Sequence, residues 1–464
     1  MDEFPAPVRP DRLAPDVALP LTWRIDRLEP ASADPPFDPK GLVSQALDRP
    51  LASLPLTELV GLGSRVTIVA GGAFTGSPDV LMIPPIVAHL MRADVRADDI
   101  SILIANESGS PAAARVSAEA LGIAESAVGR IVVNDPGDHA SHTSLGSVEG
   151  FIVRAHHLAV ESDLLIATGA VAPDEYTGYS GGSDVVALGC VDDEAVRALR
   201  SARYLDDDGV RAGKTRENPF QRAVREIGRR AGLLFVVNAL LDPQSHAPVA
   251  VAAGAPVVVH DALVAMAAPI YESEAPGARY DVVVLTEDDE RHRTLFNASP
   301  GISAATLAPR PVLRAQGVLI AQARFADTLT PVDGRVIMLR PGSSQGFYRA
   351  IEGAVSADVL LRQLRSRGLA AGEERAYRVA QAMSAGAHLV LCDPHWKGGQ
   401  GFGFSTARTI AEAAEIAESY VGRRPRALIV PQRGGRLPIP SERPMDASDN
   451  PFGDWAADDA WDSK

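Results

Sequence analysis

The stretch 173–184 reads Pro-Asp-Glu-Tyr-Thr-Gly-Tyr-Ser-Gly-Gly-Ser-Asp and is the most unusual in the chain. Asp174 and Asp184, with Glu175 beside the first, are carboxylates whose pKa values burial and mutual repulsion would push apart. That is the condition for one to serve as acid and another as base. Tyr176 and Tyr179 add phenols, Ser180 a hydroxyl, and Gly181 and Gly182 backbone amides that a ligand can approach closely. Polar loops of this composition also form simple capped turns, so the reading depends on what stands nearby.

Two other loops have the same character. Gly71-Gly72-Ala73-Phe74-Thr75-Gly76-Ser77-Pro78 offers Gly72 and Thr75 to a ligand, and Ser77 and Pro78 read as the cap and first residue of a helix. Asn106-Glu107-Ser108-Gly109-Ser110-Pro111 repeats the pattern, with Ser108, Gly109 and Ser110 as candidates. Free amides at such helix starts favour anions. Neither loop continues as Gly-Lys-Ser/Thr, and no Gly-x-Gly-x-x-Gly opens a helix after a strand, so the familiar nucleotide motifs are missing. Arg200 or Arg293 would pair a substrate carboxylate. Asn297 and His292 would face the same cleft, whereas His139, His142, His156 and His157 stand in surface-like or helix-start contexts. No residue set predicts a metal site.

These loops need a frame. Short β-branched runs at 66–70, 100–105, 131–133, 164–168 and 234–240 read as buried strands, with helices expected at 80–91, 112–121, 194–204 and 219–231. After a linker at 272–279 the alternation resumes, with strands at 281–285, 317–321, 335–339, 388–392 and 427–430 and helices at 373–385 and 407–420. Strand–helix alternation on both sides of a linker predicts the α/β class: two α/β domains, 55–272 and 273–440, with largely parallel sheets around an interdomain cleft. Residues 1–54 are proline-rich and read as an arm that wraps the body or pairs at an edge, with Trp23 as an anchor. Residues 441–464 form an acidic tail carrying Trp455 and Trp461, expected to be disordered or to dock a protein partner.

The formal net charge of −14 argues against sequence-independent binding to nucleic acid or anionic lipid. Two distant cysteines, Cys190 and Cys392, support neither a disulfide framework nor a zinc site. The start lacks a basic, apolar leader and no run is long enough to span a membrane, so a cytoplasmic protein is expected. The only lysines are Lys40, Lys214, Lys397 and Lys464.

The segment 173–184 resembles the nickel-pincer-nucleotide lactate racemase family, which has Pro-His-x-Phe-x-Gly-Phe-Ser-Gly-Gly-Ala-Lys at this point. Ile83-Pro84-Pro85, Asn218-Pro219, and Gly434-Gly435 with Leu437-Pro438 match further family stretches, and the likeness covers residues 55–440. It implies a cleft in which a 2-hydroxy acid loses hydride to a nickel-bound cofactor held by a lysine, with histidines exchanging the hydroxyl proton. Here the tethering lysine falls on Asp184, the histidines on Asp174, near Gly109 and near Arg200, and a second-domain lysine on Pro300. The expectation is therefore a racemase-type isomerase of a small 2-hydroxy acid or related carboxylate, working without the tethered nickel-pincer cofactor. The alternative is a non-catalytic binding or interaction protein on the inherited fold.

Overall fold

The structure, a computed structural model, describes residues 17–29, 31–33, 38–71, 76–106, 116–287, 293–308, 310–325, 341–394, 402–432 and 437–440. Two six-stranded sheets organise it. The first runs, in spatial order, Pro248–Gly254, Leu233–Leu241, Leu164–Val171, Val66–Ala70, Ile100–Ile104, Arg130–Val133. Its neighbours are parallel except at the Pro248–Gly254 edge, which is antiparallel to Leu233–Leu241. Val66–Ala70, Ile100–Ile104 and Leu164–Val171 are buried at every residue. Helices and connecting segments cover both faces, so these strands carry continuous apolar runs instead of alternation.

The second sheet runs Arg24–Arg27, Arg426–Pro431, Tyr280–Thr286, Leu313–Ala321, His388–Cys392, Ser405–Ala407, all parallel. Its first strand comes from the N-terminal segment. Arg24–Arg27 pairs with Arg426–Pro431 at the sheet edge, and the indole of Trp23, 5% exposed, donates to Glu418 Oε1 at 2.9 Å. The chain then returns to the first domain, where Ala33 N donates to Asp242 Oδ1 and the helix Pro39–Asp48 packs beside the Pro248–Gly254 edge strand. That helix lies inside the stretch read as an irregular arm. Pro39 at its first position and the Asp38 side chain accepting from Gly41 N give it a start that proline content alone conceals.

A shared apolar cluster joins the two domains, with Tyr176, Leu199, Tyr204 and Val210 from the first and Ile302, Phe347, Tyr377 and Val379 from the second. The strand Leu437–Ile439 also returns to the domain boundary and pairs in parallel with Glu272–Glu274.

The helix expected over 194–204 is broken into Asp193–Leu199 and Ala202–Leu205, with Arg200 closing the first piece and Ser201 extended at φ −76°, ψ 161°. The helix after the first strand starts at Asp79, with Pro78 in the capping position and no side-chain cap; the Ser77 hydroxyl goes to Asp79 instead. Of the expected helix 112–121, residues 116–121 are described, and only Glu119–Leu121 among them form a helical turn. The expected strand 335–339 and the tail with Trp455 and Trp461 lie outside them. Cys190 and Cys392 are free, buried thiols. Among the described residues, no helix is long and apolar enough to cross a membrane.

Candidate functional site

In open α/β sheets ligands collect where the strand order reverses, beyond the carboxyl ends of the strands. In the first sheet that point lies between Val66–Ala70 and Leu164–Val171. The loops leaving these strands are the Gly-rich loop and the segment 173–184, so the fold brings two of the three singled-out loops together. One hydroxyl knits them: Thr168 Oγ1 accepts from Gly71 N at 3.1 Å and donates to Asp79 Oδ1 at 2.7 Å, which also accepts from Ser77 Oγ at 2.8 Å. The third loop joins through Asn106, whose N–H donates to Gly189 O at 2.9 Å, at the end of the helix Asp184–Gly189.

Most polar groups of 173–184 are used to hold the segment's shape. It opens as a small hairpin, Pro173–Asp174 against Gly178–Tyr179. Asp174 Oδ1 accepts from Tyr176 N (2.9 Å), Thr177 N (2.7 Å) and Thr177 Oγ1 (2.8 Å), which makes the carboxylate the cap of the turn. Ser180 Oγ donates to Ala170 O at 2.8 Å, and the Tyr179 phenol donates to Glu272 Oε1 at 3.0 Å. Burial, then Glu272, drive that phenol's pKa well above its ordinary range. The Gly-Gly amides are occupied as well: Gly181 N donates to Asp184 Oδ2 at 2.7 Å and Gly182 N to Asn238 Oδ1 at 2.8 Å. Both glycines have positive φ, +98° and +65°, and a Cβ would meet Val171 Cγ2 at 2.8 Å in one case and His260 Cβ at 3.2 Å in the other.

The front of the hairpin meets the second domain. Arg200 Nη1 donates to Glu374 Oε1 at 3.2 Å, and its guanidinium lies 5.4 Å from the centre of the Tyr176 ring. Glu175, 7% exposed, has Arg375 Nε 3.3 Å from Oε1, and Arg375 in turn lies over the Phe296 ring at 4.3 Å. Burial, then Glu175, raise the Tyr176 phenol's pKa far above its usual value, and its hydroxyl is buried without a hydrogen-bond partner. Arg200 therefore has a protein carboxylate where a substrate carboxylate was expected. The break in the 194–204 helix is what presents it there.

Asn297 lies in the first turn of the helix Leu295–Thr306, its N–H donated to Thr294 Oγ1, and Arg293 Nε donates to Glu287 O at 2.6 Å. Gly72, Thr75, Ser108, Gly109, Ser110 and His292 lie outside the described residues. Sequence reasoning passed over a second concavity, a cavity of about 290 Å³ between the domains, lined by Glu175, Arg211, Lys214, Glu272, Ser303 and Arg378 among others. Lys214 was the one available signal, as a rare lysine in the body of a chain that otherwise uses arginine.

Residues 13–213 match the family model described as the lactate racemase N-terminal domain. A lactate racemase of Thermoanaerobacterium thermosaccharolyticum is 22% identical over 398 residues, covering 84% of this chain and 88% of that protein. One from Lactiplantibacillus plantarum is 26% identical over 203 residues, 43% of this chain and 47% of that protein. The lactate racemase apoprotein structure from T. thermosaccharolyticum superposes with a TM-score of 0.73 at 20% identity, over 92% of this chain and 97% of that one. A Thermotoga maritima protein structure gives 0.60 at 12% identity, over 88% and 100%. The matched residues include the strands Val66–Ala70, Ile100–Ile104 and Leu164–Val171, and over most of its length this chain is similar in sequence and in fold to lactate racemases.

Proposed function

We propose that the chain is a racemase-type isomerase acting on a small 2-hydroxy acid or related carboxylate where the three loops converge, without the family's tethered nickel-pincer nucleotide. The observation that carries this is the position of Asp184. It stands where the tethering lysine is expected, 3% exposed at the start of the helix Asp184–Gly189, with one carboxylate oxygen accepting from Gly181 N at 2.7 Å.

The residues present do not fit the covalent group. A carboxylate offers no amine to tether a cofactor. Asp174 is spent on its turn and Arg200 is paired with Glu374, so neither supplies an imidazole to nickel or to a hydroxyl proton. Among the described residues, no three His, Cys, Asp or Glu side chains cluster in a way that could hold a metal ion. A carboxylate in a site closed to water suits proton removal from the carbon beside a substrate carboxylate and return to either face, and Asp184 is the residue assigned that step.

The test is chiral chromatography of a panel of 2-hydroxy acids incubated with the purified protein, with nickel analysis and intact mass of the same sample. Racemisation by nickel-free protein, lost in Asp184→Asn, is expected. Stoichiometric nickel with an added cofactor mass would overturn the proposal. A second reading, binding without catalysis, is favoured by the internal use of Asp174, Gly182 and Arg200; it predicts ligand-induced stabilisation with no turnover.

A further inference from the structure

The cavity between the domains carries chemistry that the isomerase reading does not use. None of its lining residues comes from the loops after Val66–Ala70 or Ile100–Ile104, or from the Gly-Gly turn. It lies beside the hairpin turn. Glu175 reaches it, the Lys214 backbone packs against Gly178, and the returning strand Leu437–Ile439 forms one wall. The first domain contributes Glu175, Arg211, Lys214 and Glu272, and the second contributes Ser303, Arg310 and Arg378.

Two of these cations lie side by side, Arg378 buried and Arg211 with its side chain 12% exposed. Arg378 is 1% exposed. Its Nη1 donates to Leu205 O at 2.8 Å and Gln381 Oε1 at 3.1 Å, and its Nη2 donates to Val210 O at 2.7 Å, with Glu175 O at 3.5 Å. Arg211 donates from Nε to Leu307 O at 2.6 Å and from Nη1 to the same Val210 O at 2.7 Å and to Asp207 O at 3.1 Å. Two guanidinium groups thus share one backbone carbonyl.

Carbonyl oxygens satisfy N–H groups but carry no net charge, so the pair's closest contacts leave its charge weakly compensated, by an exposed Asp208 at Arg211 and by the field of Glu175 at Arg378. The one carboxylate within 4 Å of Arg211 is Asp208, at 3.4 Å and fully exposed to water, and among the described residues Arg378 has none within that distance. The acids lining the cavity are engaged elsewhere, Glu175 by Arg375 and Glu272 by the Tyr179 phenol. Burial, then the neighbouring Arg378, push the Arg211 pKa down to about 10. Buried charges without full compensation are costly, and a bound anion would lower that cost here.

Two lining residues also carry vacant donors. Arg378 Nε and Ser303 Oγ are both buried without a hydrogen-bond partner. Ser303 is 6% exposed and Lys214 stands at one side with its side chain one-third exposed. A small group carrying two or three oxygens and negative charge would fill both vacancies and neutralise the guanidinium pair.

We propose that this cavity is an oxyanion site that takes a carboxylate or phosphate group on Arg378, Arg211 and Ser303, with Lys214 at its side. Because its walls come from both domains, an occupant holds them in the arrangement seen here.

Isothermal titration calorimetry of the full chain in low-salt buffer tests this, with inorganic phosphate in one arm and lactate in the other. Binding in at least one arm is expected, weakened about tenfold or more by Lys214→Gln and several-fold by Ser303→Ala. Both variants should melt close to the wild-type temperature in anion-free buffer, since Lys214 makes only a long, exposed ion pair to Glu217 at 3.9 Å and Ser303 Oγ has no hydrogen-bond partner. Asp184→Asn should leave this binding unchanged, which separates it from occupancy of the proposed substrate site. Binding in the phosphate arm alone identifies a phosphate group as the ligand, and in the lactate arm alone a carboxylate. No heat in either arm, or affinities that Lys214→Gln and Ser303→Ala leave unaltered, would overturn the proposal.

Discussion

Acidification should loosen the candidate site from behind, through His156. The side chain is 3% exposed, stacked on His157 with centroids 4.6 Å apart and edge-on to His142 at 5.8 Å. Its Nδ1 accepts from Leu158 N at 3.2 Å, which fixes the neutral tautomer with the proton on Nε2. Burial, then His157 and His142, lower its pKa from 6.5 to about 4. The unfolded chain therefore binds the proton first as pH falls. The stability contributed by neutral His156 is full above the unfolded value near 6.5 and is lost as pH descends toward 4. At pH 5 the difference amounts to about 2 kcal/mol. The strain reaches the site, because His156 N donates to Cys190 O at 2.8 Å and Ala155 bridges Val191, both just past the helix that begins at Asp184. Urea unfolding at pH 7.5 and pH 5, for wild type and His156→Gln, isolates this contribution, since every other titrating group is common to the two proteins. The variant is expected to lose about 2 kcal/mol less than wild type between the two pH values. An equal loss in both would refute the reasoning.

Three further outcomes follow from the same geometry. Glu374→Ala removes a carboxylate from the Arg200 guanidinium at a buried domain contact and should cost about 3 kcal/mol by urea unfolding, while the double variant Arg200→Met, Glu374→Leu should recover most of it. Trp23→Ala removes a buried indole and its bond to Glu418; a loss of about 3 kcal/mol and faster proteolysis within 17–29 are expected. Gly178→Ala places a Cβ against Lys214 O at φ +84°, so circular dichroism should show a lower melting temperature and calorimetry weaker oxyanion binding together.

The fold was legible because burial imposes it residue by residue. Val66–Ala70 and Leu164–Val171 lie with both faces covered, so most positions carry an apolar residue, the buried hydroxyls of Thr67 and Thr168 being hydrogen-bonded, and the run announces the strand. The N-terminal segment was only half legible. Trp23 marked an anchor, but the edge pairing of Arg24–Arg27 depends on a partner strand some 400 residues later, and no local pattern encodes that. The break at Arg200 was hidden for a similar reason: apolar spacing continues through 194–204, and Ser201 adopts extended geometry inside it.

The site divides along the same line. Gly181 and Gly182 are required by their positive φ and by the closeness of Val171 and His260, and Asp174 by its turn, so this part of the motif reports the shape of the hairpin whatever chemistry happens above it. A recognisable Gly-Gly segment is thus strong evidence for the fold and weak evidence for a cofactor. The chemistry depends on groups whose neighbours arrive from the other domain: Glu175 with Arg375, Arg200 with Glu374, Arg211 with Arg378. Each pair is separated by more than 160 residues, and each member alone reads as an ordinary surface charge in an arginine-rich chain. Only the folded arrangement shows that Arg211 and Arg378 share one carbonyl and hold no carboxylate between them, which is why the oxyanion site emerges from geometry while the family resemblance emerges from the motif.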